Sequence, residues 1–283
     1  MNHNFPQNLH IHPTAPAGDQ SGNFSVESQE EAIRRFGIAG KVWEAAYILK
    51  DYIDPPQDHI FDPPLFRVSD GRRIVELGSG SGIVAATLAN ALNSTDIMFV
   101  TDLPEVCPLL QQNLCLSETI RVRPLSWGDK AHADCIASEL SPSPLTHIIC
   151  SDLVYFPDLL APLLRSLIHL TSHPFVAAPS DVQLVISYKI RSLAKETPFW
   201  SMFGVWFDFA PVLVQKTSGG PWQRLGVGLE DPTFVFVARR REESYGWDLP
   251  PNDVDVMHGV VSRGSLAPMS DDTFETLLLM SLE

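Results

Sequence analysis

Basic residues are scarce in this chain. Lysine and arginine total 20 against 34 aspartates and glutamates, a formal net charge of -14 at pH 7. Phosphate backbones are gripped by basic faces, so nucleic acid is not the expected partner. Cysteine is also sparse. Cys107, Cys115, Cys135 and Cys150 form no C-x-x-C pair and have no histidine at zinc-ligand spacing. Reduced thiols are expected, and no metal. No apolar run is long enough to span a membrane. The stretch Met1-Asn2-His3-Asn4-Phe5-Pro6 carries no apolar signal region. These absences point to a monomer in the cytoplasm, with the nucleus also open, that meets neither membrane nor nucleic acid.

What is present suits a folded core. Of 283 residues, 45% are hydrophobic, enough for one large α/β domain with appendages. An acidic surface suits a basic protein partner, and it equally keeps a chain soluble. Residues 1–28 are rich in Asn, His, Pro, Gly and Ser and read as a disordered N-terminal arm. His3, His10 and His12 within it need no metal to explain them. Residues 29–243 carry the periodic pattern of a domain. Residues 244–283 form an acidic tail, in which 273–280 reads as a short apolar helix. That helix is expected to pack on the domain; covering the site or binding a partner are the alternatives.

Along the domain, residues 30–36 fit a strand or a short helix. Val42, Ala45, Ala46, Ile48, Leu49 and Tyr52 recur at helical spacing and stop before Pro55-Pro56. Strands are predicted at 73–77, 96–101, 120–125, 146–150 and 182–188. Helices are predicted at 83–89, 104–114, 159–170 and 193–203. Two closing strands, 207–214 and 233–238, are joined by a loop-like link and so should be antiparallel. Alternating strand and helix predicts an α/β, doubly wound, Rossmann-like sheet, mostly parallel with an antiparallel closing hairpin.

The richest stretch is Val75-Glu76-Leu77-Gly78-Ser79-Gly80-Ser81-Gly82, a glycine turn between a strand and a helix. A dinucleotide fold wants its third glycine where Ile83 stands, and a P-loop wants a Lys that is missing here. The pattern acidic-x-G-x-G-x-G resembles the cofactor loop of S-adenosylmethionine (SAM) methyltransferases. SAM carries an ammonium and a sulfonium but no phosphate, so Glu76 would attract it where it would repel a pyrophosphate. An ordinary glycine turn is the plainer reading. Asp102 ends the next strand about 20 residues past Gly82, the interval at which a carboxylate takes ribose hydroxyls. Trp127 stands open between stacking on adenine and packing in the core. Asp152-Leu153-Val154-Tyr155 ends the fourth parallel strand. Nucleobase-amine methyltransferases carry two prolines in the middle of this element; Leu153 and Val154 disfavour a base as substrate.

Taken in order, Gly40-Lys41-Val42-Trp43-Glu44-Ala45-Ala46, the glycine loop, Leu125-Ser126-Trp127-Gly128 and Ser151-Asp152-Leu153-Val154-Tyr155 resemble the family-16 branch of seven-β-strand methyltransferases. The resemblance covers roughly residues 37–240. It implies a seven-stranded class I methyltransferase fold and SAM as cofactor, with S-adenosylhomocysteine as product. It also implies methyl transfer to lysine in non-histone proteins such as translation factors or chaperones. By this resemblance Trp43, Glu76, Gly78, Gly80, Asp102 and Trp127 line the cofactor pocket, with Ser79, Gly82, Leu103 and Ser151 beside them. Trp43 is expected on a helix whose start abuts the cofactor. Asp152 and Tyr155 would border the target amine as catalytic residues, Asp152 by capture and orientation, Tyr155 by cation–π contact or hydrogen bonding. Tyr188, Lys189 and Arg191 either shape a substrate groove or belong to a solvated loop. The rival readings are transfer to a histidine side chain or a small-molecule amine, and a non-catalytic SAM-binding module. An NAD-dependent enzyme is disfavoured by Glu76 and Ile83.

Overall fold

The computed structural model describes residues 11–14, 22–67, 71–176, 182–229, 232–260 and 269–280. The first α-helix is α1 (Val26–Phe36). The Ser25 hydroxyl accepts the Ser28 N–H at 3.2 Å, and Gly37 ends the helix at φ 60°. This resolves the strand-or-helix choice at 30–36, and α1 begins inside the stretch assigned to the N-terminal arm. Thr14, also in that stretch, is tied to the domain. Its carbonyl accepts from Gln29 Nε2 at 2.9 Å and from the Tyr47 hydroxyl at 2.5 Å. The rest of the predicted arm, 1–10 and 15–21, lies outside the described residues.

There follow α2 (Ala45–Ile53), β1 (His59–Asp62), β2 (Arg73–Leu77), α3 (Ile83–Ala89), β3 (Ile97–Asp102), α4 (Cys107–Asn113), β4 (Ile120–Pro124), α5 (Lys130–Leu140), β5 (His147–Ser151) and α6 (Pro157–Leu170). The second half adds β6 (Gln183–Lys189), α7 (Leu193–Trp206), β7 (Phe207–Pro211), β8 (Leu213–Lys216), β9 (Gln223–Arg224), β10 (Thr233–Arg240), α8 (Asp253–Met257) and α9 (Thr273–Met280). Helix α5 had no sequence-based expectation, although its signal was present. The Asp129 carboxylate accepts the N–H groups of Ala131 at 2.9 Å and His132 at 3.1 Å, a standard N-cap.

Seven strands form one sheet in the order β4-β3-β2-β5-β6-β10-β7. The first five run parallel, and β10 is antiparallel to both β6 and β7. This is the mostly parallel α/β sheet with an antiparallel closing pair that the sequence predicts. The central strands are buried on both faces, with one apolar cluster under α5, α6 and α7 and another under α2, α3 and α4. The predicted strand 207–214 is broken. Pro211 brings no N–H to the ladder. After Val212 the chain leaves the main sheet, and β8 pairs with β1 and β9 in a separate three-stranded sheet.

The strand order reverses between β2 and β5, which pair in parallel from Ile74 against His147 to Leu77 against Cys150. Open α/β sheets bind ligands at such a switch point, beyond the carboxyl ends of the strands. Here those ends lead into the glycine loop and into Asp152. The tail helix α9 docks on the domain as expected. Phe274 is fully buried and stacks on Trp200, with ring centroids 5.0 Å apart. Among the described residues, no helix is long and apolar enough to cross a membrane.

Candidate active site

The glycine loop is knitted to the neighbouring strand β3. Ser79 N–H donates to the Thr101 carbonyl at 2.9 Å, and the Thr101 hydroxyl donates to the Glu76 carbonyl at 2.6 Å. The Asp102 carboxylate accepts Gly80 N–H at 2.8 Å and Leu103 N–H at 2.7 Å. Asp102 therefore shapes the loop. Gly78 sits at φ 57°, and a Cβ there would lie 2.8 Å from Leu153 and 3.0 Å from Trp127. Only glycine fits both the backbone and the space. Gly82, at φ 86°, caps α3.

Two carboxylates in this half have no cation beside them among the described residues. Glu76 is 1% exposed, and its Oε2 has no hydrogen-bond partner. Burial pushes its pKa up to about 8, against a Ser79 hydrogen bond, with the Asp102 charge adding to the rise. Burial likewise raises Asp102 to about 6, outweighing the amides of Gly80 and Leu103. A buried, orphaned carboxylate oxygen beside a cradle closed to any Cβ suits a ligand that brings its own positive charge. The chemistry of SAM fits that requirement.

Trp127 lies against Gly78, edge-on to Tyr155 at 6.3 Å between centroids. Gly128 N–H, bonded to the Ser166 hydroxyl at 2.8 Å, ties this turn to α6. The indole thus walls the loop while its other contacts belong to the core. Trp43 is not on a helix. It stands in the turn before α2, because its Nε1–H is held by the Ile38 carbonyl at 3.0 Å. Two cations approach its ring, with Lys41 Nζ 4.7 Å and Arg191 Cζ 5.1 Å from the centroid.

The other half of the site is built around Asp152. It is the one non-glycine residue at positive φ among the described residues, at 62°. Aspartate tolerates this region better than most side chains. Its N–H donates to the Ser187 carbonyl at 2.8 Å, while Ser187 Oγ–H donates to Ser151 Oγ at 3.1 Å. The carboxylate is buried and paired. Arg191 Nη1 donates to Oδ1 at 2.7 Å, and Arg191 Nη2 donates to Oδ2. Arg191 also reaches Glu44 at 3.4 Å, and Glu44 in turn meets Lys41 at 3.1 Å and Lys189 at 3.9 Å. Burial works against the Glu44 charge, but backbone bonding, Lys41 and Lys189 hold its pKa down at about 2. Tyr155 packs edge-on against Phe156 at 4.8 Å. Burial, then the charges of Asp102 and Asp152, push its phenol far above the usual range, so it stays protonated at neutral pH.

All the predicted site residues thus gather at one end of β2, β3 and β5. The sequence did not announce the pairing of Arg191 with Asp152, or Glu44 as the hub of three cations. Beside Glu44 and Lys189 a cavity of about 550 Å³ opens between α2 and the three-stranded sheet. Ile48, Phe61, Leu225 and Leu229 are among its apolar walls.

A sheet of this order, with an acidic glycine loop at its switch point and D-x-x-Y on the adjacent strand, defines a class I methyltransferase fold. Residues 23–204 match the lysine methyltransferase family, and the chain belongs to it. It is similar to protein-lysine N-methyltransferase EFM6 of Saccharomyces cerevisiae, 29% identical across 48% of this chain and 59% of that protein. It is similar to EEF1A lysine methyltransferase 3 of Mus musculus, 32% identical across 48% of this chain and 52% of that one. Protein N-lysine methyltransferase METTL21A of Xenopus tropicalis is 23% identical across 69% of this chain and 80% of its own length. The chain thus spans between half and three fifths of the first two relatives.

Proposed function

We propose that the protein is a SAM-dependent methyltransferase acting on a lysine ε-amine of a non-histone protein, with a translation factor of the EEF1A type as the leading candidate. One observation carries the reading. A buried carboxylate without a cation, Glu76, stands at the switch point one strand away from Asp152 and Tyr155. When bound, SAM supplies an electrophilic methyl group on a sulfonium. Glu76 would hold its ammonium and Asp102 its ribose hydroxyls, with Trp127 beside the base and Gly78 letting the loop pack against Leu153 and Trp127. Tyr155, kept as a phenol, can hydrogen-bond or face the arriving amine but cannot take its proton. Fixing the amine in place is the main contribution the chain's own side chains make to rate.

The occupant assigned to the cavity beside Glu44 is the polypeptide on either side of the target lysine. The cavity shares Glu44 and Lys189 with the charged cluster around Asp152, so a chain lying in it would deliver a side chain to that cluster. Such a substrate places the protein in the cytoplasm or nucleus. The test is incubation of the purified protein with tritiated SAM and EEF1A, and then with a cell lysate, followed by mass spectrometry of the labelled residue. Label on lysine is the expected outcome. Label on histidine or on a small amine transfers the assignment to that acceptor. Calorimetric SAM binding with no transfer to any acceptor makes the protein a cofactor-binding module.

A further inference from the structure

We propose that Arg191 is a positioning residue of the reactive centre: by neutralising Asp152 it lets the incoming lysine lose its proton. The inference rests on the lysine-transfer reading above. An amine attacks through its lone pair, and at pH 7 only about 0.04% of a free lysine has one available. A bare buried carboxylate beside that amine would stabilise the ammonium and shrink the fraction further. On that view the aspartate of D-x-x-Y obstructs the chemistry it borders.

The geometry removes the obstruction. The Asp152 side chain is fully buried, and each of its oxygens accepts from a different nitrogen of the same guanidinium. A planar fork on a carboxylate is a strong and orienting arrangement. Arg191 is pinned for the task by Trp43 beneath its guanidinium and by Glu44 at 3.4 Å. Its own N–H donates to Glu196 at 3.2 Å, so backbone and side chain are both fixed. With its charge compensated, Asp152 can still orient the chain through the Lys189 N–H at 3.4 Å. It no longer acts as a net anion toward an arriving ammonium, whose proton can pass to solvent. The other ionisable groups around the pair are Glu44, Lys41, Lys189, Glu196, Tyr155 and Asp102.

The competing role for Arg191 is purely structural, as a clamp on the positive-φ turn at Asp152. The pH dependence of kcat separates the two. Four proteins are compared on the acceptor labelled by the wild type: the wild type, Arg191→Gln, Arg191→Lys, and the double variant Arg191→Gln with Asp152→Asn. SAM affinity is measured for each. Exposing the Asp152 charge should move the acid limb of kcat upward by about one pH unit in Arg191→Gln. Its turnover then falls about tenfold at neutral pH and recovers in alkali. Arg191→Lys should keep the limb near its wild-type position. The double variant, with both charges gone, should return the limb to that position whatever its height. A loss in Arg191→Gln that is uniform across pH, with the limb unmoved, overturns the inference. Should Arg191→Gln not fold, a double variant whose limb is displaced upward overturns it equally. A wild type that labels no lysine sinks the underlying reading instead, so the two failures are distinguishable.

Discussion

The two halves of the site hold their carboxylates in opposite ways. Among the described residues, Glu76 at the glycine loop is buried with an oxygen that meets no donor, and Asp102 has backbone amides but no cation. Across the switch point, Asp152 is forked by Arg191 and Glu44 is ringed by Lys41, Lys189 and Arg191. A carboxylate left uncompensated is costly to the folded protein and is relieved by a cationic ligand. A compensated one is already part of the framework. On the proposed reading, the half that would take the cofactor awaits a cationic ligand, while the half around Asp152 is already charge-paired.

The sharpest way to break this contrast is through stability. Removing one partner of a buried ion pair strands the other, so Asp152→Asn should cost about 3 kcal/mol, less if Arg191 turns to solvent. Glu76→Gln removes an acid whose ionisation burial opposes and should raise the melting temperature of the cofactor-free protein, increasingly as pH rises toward about 8. The same substitution should weaken SAM binding about 100-fold, the worth of a lost charge-assisted hydrogen bond. Chemical denaturation and calorimetry read both, and two shifts of the same sign would erase the distinction drawn between the halves.

pH offers a second handle. Glu76 titrates at about 8, above its ordinary 4.5. Its raised pKa makes the folded, cofactor-free state hold a proton that the unfolded chain releases. That stabilisation is complete below about pH 4.5 and is lost as pH rises through about 8. SAM binding has the opposite slope, because a cation favours ionised carboxylates. Affinity should climb between about pH 6 and about pH 8, by up to about tenfold per unit, and then level off. Calorimetry in two buffers of different ionisation heat should register proton release; a pH-independent affinity would contradict the burial argument.

Gly78→Ala forces a Cβ into a positive-φ position against Leu153 and Trp127. A weakening of SAM binding of about tenfold is expected from the backbone cost alone. The smallest effect concerns the groove. Leu229 is 53% exposed, so Leu229→Asp should leave the fold and SAM affinity untouched. It should raise KM for the acceptor protein about fivefold, the cost of one weakened apolar contact. An unchanged KM would remove the groove from the substrate path.

Local chemistry in this chain was legible and distant pairing was not. The glycine loop, Asp102 and D-x-x-Y each announce themselves because a few adjacent residues must have particular shapes. Strand alternation gave the parallel sheet for the same reason. Arg191 is 39 residues from Asp152 in sequence, and nothing in its neighbourhood reveals a partner on β5. The three-stranded sheet leaves no sequence pattern because β1 has four residues and β9 two, too short for a period to show. The apolar spacing starts at Val42 and so predicts a helix that includes Trp43. The helix itself starts only at Ala45, after an indole anchored to Ile38.

Phe274 has a consequence for how the molecule comes into being. Its ring stacks on Trp200 and meets Tyr188 and Phe236 edge-on. Those partners come from α7, β6 and β10, all made earlier on the ribosome. A nascent chain that has finished its last strand therefore still exposes the aromatic bed on which α9 will lie. Until Phe274 emerges, that bed is open to chaperones and to other nascent chains. Docking of α9 covers that bed, and a stop codon placed ahead of Thr273 would leave this part of the core unfinished.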